Sequence, residues 1–72
     1  MKRLIHSQRF GMIAEICDRI ATAKAAQLIK WECNPNDIVA ITLKVRLDTE
    51  IELNGATDEA IIEAYEKVIC DR

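Results

Sequence analysis

The fifteen residues from Val39 to Leu53, VAITLKVRLDTEIEL, alternate an apolar or β-branched residue with another residue without a break. A period of two places the odd-numbered side chains on one face of a strand, whereas a helix scatters them round its circumference. β-Branched residues such as valine, isoleucine and threonine are also enriched in strands. The pattern therefore predicts extended backbone for this segment.

The length of the alternating segment limits how it can fold. A single straight strand of fifteen residues is about 50 Å long, too long for a small globule whose radius of gyration is about 11 Å. We therefore predict a β-hairpin with residues 48–50 as its loop, in which Arg46 faces Glu52 as a cross-strand ion pair. Two alternatives stay open: one long strand exchanged with a second subunit, and an all-helical, coiled-coil-like chain in which residues 38–47 are a helix.

A helix is predicted on each side of the alternating segment. Between residues 12 and 32, apolar side chains recur at steps of three, four and seven, and the four alanines between residues 21 and 26 add helix propensity. Asn34 ends this helix because a residue before proline avoids helical backbone. The last helix begins at Thr57, a suitable N-cap, and carries Ile61 on its apolar face.

These elements predict an α+β fold: a helix, a β-hairpin and a helix, with both helices on one face of a small antiparallel sheet. The 72 residues make a single small domain. Two alternatives stay open for its start: residues 1–10 form a flexible or short-strand arm, or Ser7 caps the first helix and Gly11 lies in its first turns. A two-stranded hairpin is marginally stable and leaves two open edges. We therefore expect a homodimer that completes the sheet by pairing the hairpin edges.

Composition and cysteine usage indicate a cytoplasmic protein. Half of the residues are apolar, and there are only two glycines and one proline, so the chain is not of a disordered type. No apolar run reaches the 18 residues of a membrane span, and the basic N-terminus lacks the apolar stretch of a signal peptide. The odd set of cysteines, with no CxxC pair, is typical of a reducing compartment: Cys17, Cys33 and Cys70.

Nothing in the sequence predicts a reaction or a cofactor. Glycine-rich phosphate loops, GxSxG and HExxH motifs are missing from the sequence. The cysteines are too far apart for the close pairs of a structural zinc site. The sole histidine, His6, has no positioned partner nearby in the sequence. We therefore predict a protein that is not an enzyme and has no catalytic, cofactor-binding or metal-binding residues.

Three residues of the first helix are the predicted contacts with a protein partner. Trp31, with Lys30 beside it, lies where a tryptophan either packs over the core or anchors an interface. Lys24 falls within the apolar stripe, where an ammonium must reach solvent, form an ion pair or contact a ligand. The sequence predicts a small intracellular protein–protein interaction module, acting as a regulator, adaptor or subunit with an unknown protein partner.

The uneven distribution of charge supports an alternative function. Residues 1–33 hold six lysines and arginines against three acids, whereas residues 34–72 hold four against nine. Attraction between the two halves, or between subunits, is one explanation. The other is a nucleic-acid-associated regulator. It would use four cations of the N-terminal arm and first helix: Lys2, Arg3, Arg9 and Arg19.

Overall fold

Three α-helices make up the computed structural model, which describes residues 3–69 of the chain. They are α1 (His6–Lys30), α2 (Pro35–Asn54) and α3 (Asp58–Ile69). The connections are short, so neighbouring helices along the chain are antiparallel. The first helix therefore runs parallel to the third, and its N-terminal end lies beside Asp58.

The predicted α+β fold is wrong. Residues 39–53 lie inside α2, and no strand occurs among residues 3–69. The loop at 48–50, the exchanged strand and the dimer through a sheet edge are therefore wrong as well. Arg46 does not face Glu52 across a hairpin but pairs with Asp18 of α1, at 2.5 Å. The all-helical alternative assigned residues 38–47 to the correct element.

Two apolar stripes at helical spacing, carried by the same helix, explain the alternating pattern. The inner stripe faces the rest of the protein and is buried or half-buried: Ile38, Thr42, Val45, Thr49 and Leu53. The outer stripe recurs at every fourth residue and is exposed: Val39, Leu43, Leu47 and Ile51. Because both stripes fall mostly on odd positions, their sum has an apparent period of two.

Local interactions at the start of α2 favour a helix in this segment. Asn34 is the N-cap, and its side-chain oxygen accepts a hydrogen bond of 2.8 Å from the backbone N–H of Asn36. Pro35 follows at the first helical position, where its fixed φ is suitable. The hydroxyls of Thr42 and Thr49 donate to carbonyls four residues earlier, so these β-branched residues fit the helix.

The end of α1 is set by a Schellman motif and not by the proline. The backbone N–H of Cys33 donates to the carbonyl of Leu28 at 3.1 Å, and that of Glu32 to the carbonyl of Ile29 at 3.0 Å. Glu32 has φ of 57°, the left-handed conformation that this motif requires. Only Asn34 lies between this motif and the proline that begins α2, so the reversal is tight.

The predictions for the two flanking helices are confirmed, with a change at the N-terminus. The first helix already begins at His6, so residues 6–10 belong to α1 and not to an arm. The hydroxyl oxygen of Thr57 accepts a hydrogen bond of 3.2 Å from the N–H of Ala60, as expected of an N-cap. Ile61 is fully buried.

The main buried cluster lies at one end of the molecule, where all three helices meet. It contains Ile13, Ile16 and Cys17 of α1, Leu53 of α2 and Ile61 of α3. The third helix has 12 residues and the first has 25, so α3 covers only about half the length of α1. The other half of α1 and the first half of α2 form a two-helix hairpin, which gives an elongated shape of 45 × 25 × 15 Å.

Candidate protein interaction surface

The outer stripe of α2 is a ridge of exposed aliphatic side chains. The exposed fractions are 58% for Val39, 60% for Leu43, 58% for Leu47 and 65% for Ile51. Residues four apart lie one turn apart on the same side of a helix, so these side chains form a continuous ridge. A ridge of four large aliphatic side chains is a surface that another apolar surface can cover.

A groove between α1 and α2 runs beside this ridge. Its volume is about 280 Å³, and its α2 wall includes Val39 and Leu43. Its α1 wall consists of Ala21, Thr22 and Ala25, whose short side chains leave room for a ridge to enter. The groove therefore places small residues of one helix next to large residues of the other.

A second groove continues along the same side towards the N-terminal end of α1. It has a volume of about 210 Å³ and is lined by residues that include Phe10, Ala14 and Glu50. The side chain of Phe10 is exposed to solvent. We refer to this side of the α1–α2 pair, with both grooves and with Val39, Leu43 and Leu47, as the open face.

One ion pair lies at the middle of the open face. Arg46 lines both grooves, and its guanidinium contacts the carboxylate of Asp18 across the two helices. Both side chains are partly exposed, so the pair can accept further polar partners from outside. The open face is thus apolar along its length and charged at its centre.

A second charged cluster joins the ends of the three helices, away from the open face's centre. The guanidinium of Arg9 donates to the Asp58 carboxylate at 2.6 Å and to the carbonyls of Ala56 and Asn54 at 2.7 and 3.1 Å. The other carboxylate oxygen of Asp58 accepts from the backbone N–H of Leu4 at 3.1 Å. We refer to this cluster as the Arg9 clasp.

The Arg9 clasp lowers the pKa of Asp58. The hydrogen bond from the backbone N–H of Leu4 is the main cause, followed by the hydrogen bond from Arg9. A carboxyl group whose pKa is lower in the folded state stabilises the fold above its unfolded pKa. That contribution is lost as the pH falls through the folded pKa.

We therefore expect the stability difference between the natural chain and Asp58→Asn to depend on pH. The difference in Tm should be largest near neutral pH and should shrink as the pH falls below 3.8, the ordinary aspartate pKa. Thermal unfolding followed by circular dichroism over this range measures it. Glu63→Gln, which changes an exposed carboxylate of α3, is the matched control. A difference for Asp58→Asn that stays constant at all pH values contradicts this linkage.

Two of the three predicted partner contacts, Trp31 and Lys30, lie at the far end of the α1–α2 hairpin. Trp31 is the C-cap of α1 and is 61% exposed, so it does not pack over the core. Lys30 is exposed beside it. Lys24 is half-buried on the side opposite the open face, where it lines a groove with Gln27 and Val45. Its ammonium makes no ion pair with any residue from 3 to 69, which agrees with an aliphatic stem that packs and a charge that reaches solvent.

The four cations of the nucleic-acid alternative do not come together as one surface. Arg9 is engaged in the clasp, and Lys2 lies outside the described residues. Arg3 and Arg19 are exposed. Arg9 and Arg19 are ten residues apart, which separates them by about 15 Å along α1.

The cysteines have separate environments. Cys17 is buried in the core, and this burial, followed by the nearby Glu50 carboxylate, raises the pKa of its thiol. A raised pKa lowers the fraction of reactive thiolate. Cys33 is a half-buried free thiol, and Cys70 lies outside the described residues. Within residues 3–69, histidine, cysteine and carboxylate side chains form no group of three suited to a metal ion.

Sequence reasoning missed the outer stripe as an exposed surface. The period of two assigns Val39, Leu43, Leu47 and Ile51 to a buried strand face, whereas the structure leaves all four exposed. A period of two also recurs at every fourth position, so the spacing of these residues does not by itself distinguish an exposed helical ridge from a strand face.

Between Arg3 and Ile69, none of the helices combines the length and the hydropathy needed to cross a bilayer. Searches of protein-family models, of curated proteins and of solved structures give no match to this chain.

Proposed function

We propose that this protein is a small, non-enzymatic protein–protein interaction module that works in the cytoplasm as a regulator, an adaptor or a subunit of a larger assembly. The exposed ridge of the open face carries this proposal. Leu43 and Leu47 are each about three-fifths exposed at the centre of this ridge. Contiguous apolar patches of this kind on a folded protein mark sites that bind another surface.

The chemistry of the open face supports a protein as its occupant. Its apolar ridge and grooves are interrupted by charged groups of both signs, Asp18, Arg46 and Glu50. Interfaces between proteins combine an apolar centre with polar groups that fix orientation. The acids Asp18 and Glu50 disfavour a nucleic-acid backbone or an anionic lipid surface at the same place.

Photo-cross-linking in the native cell tests this function. A benzoylphenylalanine at position 47 should give a discrete covalent adduct with a protein, because this position protrudes from the ridge. The same probe at position 66, an exposed site on α3, is the matched control. Equal labelling from positions 47 and 66, or none from position 47, contradicts the proposal.

A further inference from the structure

We propose that the occupant of the open face is a second copy of this chain, which stacks its own open face on the first about a two-fold axis parallel to the helices. This inference rests on the proposed function and names its partner. In this arrangement α2 of each copy lies over α1 of the other. The two α1–α2 hairpins together form a four-helix bundle in which each helix is antiparallel to both of its neighbours. Each α3 lies on the outside of this bundle.

The accessible surface of the single chain exceeds that of a typical folded monomer by about the area that one protein interface buries. The accessible surface of the chain is 5575 Å². Folded monomers of 8.2 kDa expose about 4500 Å². The excess of about 1000 Å² is close to the roughly 800 Å² that each partner buries in a standard interface. The radius of gyration, 13.5 Å, likewise exceeds the roughly 11 Å of a compact 72-residue domain.

The open face is complementary to itself. Val39 and Leu43 lie at the level of Ala21 and Ala25, because all four line the same groove. A two-fold axis parallel to the helices keeps each level and exchanges α1 with α2. The axis therefore places Val39 and Leu43 of each copy over Ala21 and Ala25 of the other copy. Such reciprocal contact is what a two-fold interface requires.

The charges at the centre of the open face are also complementary under this axis. Asp18 and Arg46 are opposite each other within one chain. The axis places Arg46 of one copy over the Asp18 position of the other, at the same level. The two aspartates and two arginines then alternate in sign round a square, so each charge has opposite-sign neighbours in both chains. A polar set of this kind at the centre of an apolar interface selects one orientation.

Sedimentation velocity at micromolar concentration is the first test. The natural chain should sediment as a species of about twice its 8.2 kDa mass. Leu43→Gln and Leu47→Gln should each raise the dimer dissociation constant at least about tenfold, because each removes a central apolar contact. Glutamine has a helix propensity similar to that of leucine, so α2 should persist. Ile41→Gln is the matched control, because a step of two residues places Ile41 on the opposite side of α2 from Leu43, and it should leave the dimer intact.

Charge reversal tests the geometry. Asp18→Arg alone and Arg46→Glu alone should each be monomeric, because like charges then meet at the centre. Mixing the two variants should restore a dimer, since each remaining charge faces an opposite charge in the other chain. Circular dichroism checks that each variant keeps its helices. A mixture that stays monomeric while the natural chain is dimeric overturns this arrangement.

The outcomes separate this inference from the proposed function. If the natural chain stays monomeric, the second copy is the wrong occupant. A cross-link from position 47 to a different protein then still supports an interaction module. If the chain is monomeric and position 47 gives no cross-link, both proposals are wrong.

Discussion

Replacing Ile61 with alanine is expected to unfold most of the protein at room temperature. Ile61 has no exposed surface and is the one buried residue of α3 within the described part of the chain. Truncation of a buried isoleucine to alanine costs about 2–5 kcal/mol. A single core in a chain of this length supplies roughly 3–5 kcal/mol in all. The loss is therefore comparable to the whole stability.

Urea unfolding followed by the helical circular dichroism signal measures this effect. Ile29→Ala is the matched control, because it makes the same change at a residue of α1 that is 64% exposed. Its effect should lie within about 0.5 kcal/mol. If Ile61→Ala is no less stable than Ile29→Ala, the packing of α3 on α1 described above is incorrect.

Replacing Arg9 with alanine should give the second largest loss of stability. Its guanidinium donates to the carbonyls of Asn54 and Ala56, and to the carboxylate of Asp58, so it connects α1 to the end of α2 and to the start of α3. The last carbonyls of a helix have no partner within the helix, and a cation placed there is favourable. Removal of these charge-assisted hydrogen bonds is expected to cost about 2 kcal/mol, which lowers Tm by roughly 10 °C.

The comparison for Arg9→Ala is Arg19→Ala, which removes an exposed arginine from the same helix. Arg9→Lys should recover only part of the loss, because an ammonium keeps the charge but not the planar fork of donors. Thermal unfolding must be compared at one protein concentration, since self-association shifts Tm. Equal Tm values for Arg9→Ala and Arg19→Ala contradict a structural role for the clasp.

The flanking helices were predictable because their signals are local. Apolar residues at steps of three and four specify α1, and the cap at Thr57 specifies where α3 begins. Each signal depends on residues within one or two turns. The Arg9 clasp depends instead on residues 49 apart in sequence, and neither Arg9 nor Asp58 has a neighbour in sequence that indicates the other.

The open face exists because residues 39–53 form a helix and not the predicted strand. A helix distributes the alternating residues between an inner and an outer side, and Val39, Leu43 and Leu47 fall on the outer side, where they stay exposed. The strand prediction differs because a strand would place all of them on one buried face. The helix leaves part of this apolar set in solvent, and this exposure is the observation from which we infer a second chain.

The sequence by itself determined the two amphipathic helices, because helical hydrogen bonds and caps are made within a few residues. Only the tertiary structure decided the state of residues 39–53. A strand must find its hydrogen-bond partners in another strand, and the chain offers no further segment with a period of two. A helix satisfies its own backbone, and the apolar stripe of α1 gives the inner stripe of α2 a surface on which to pack.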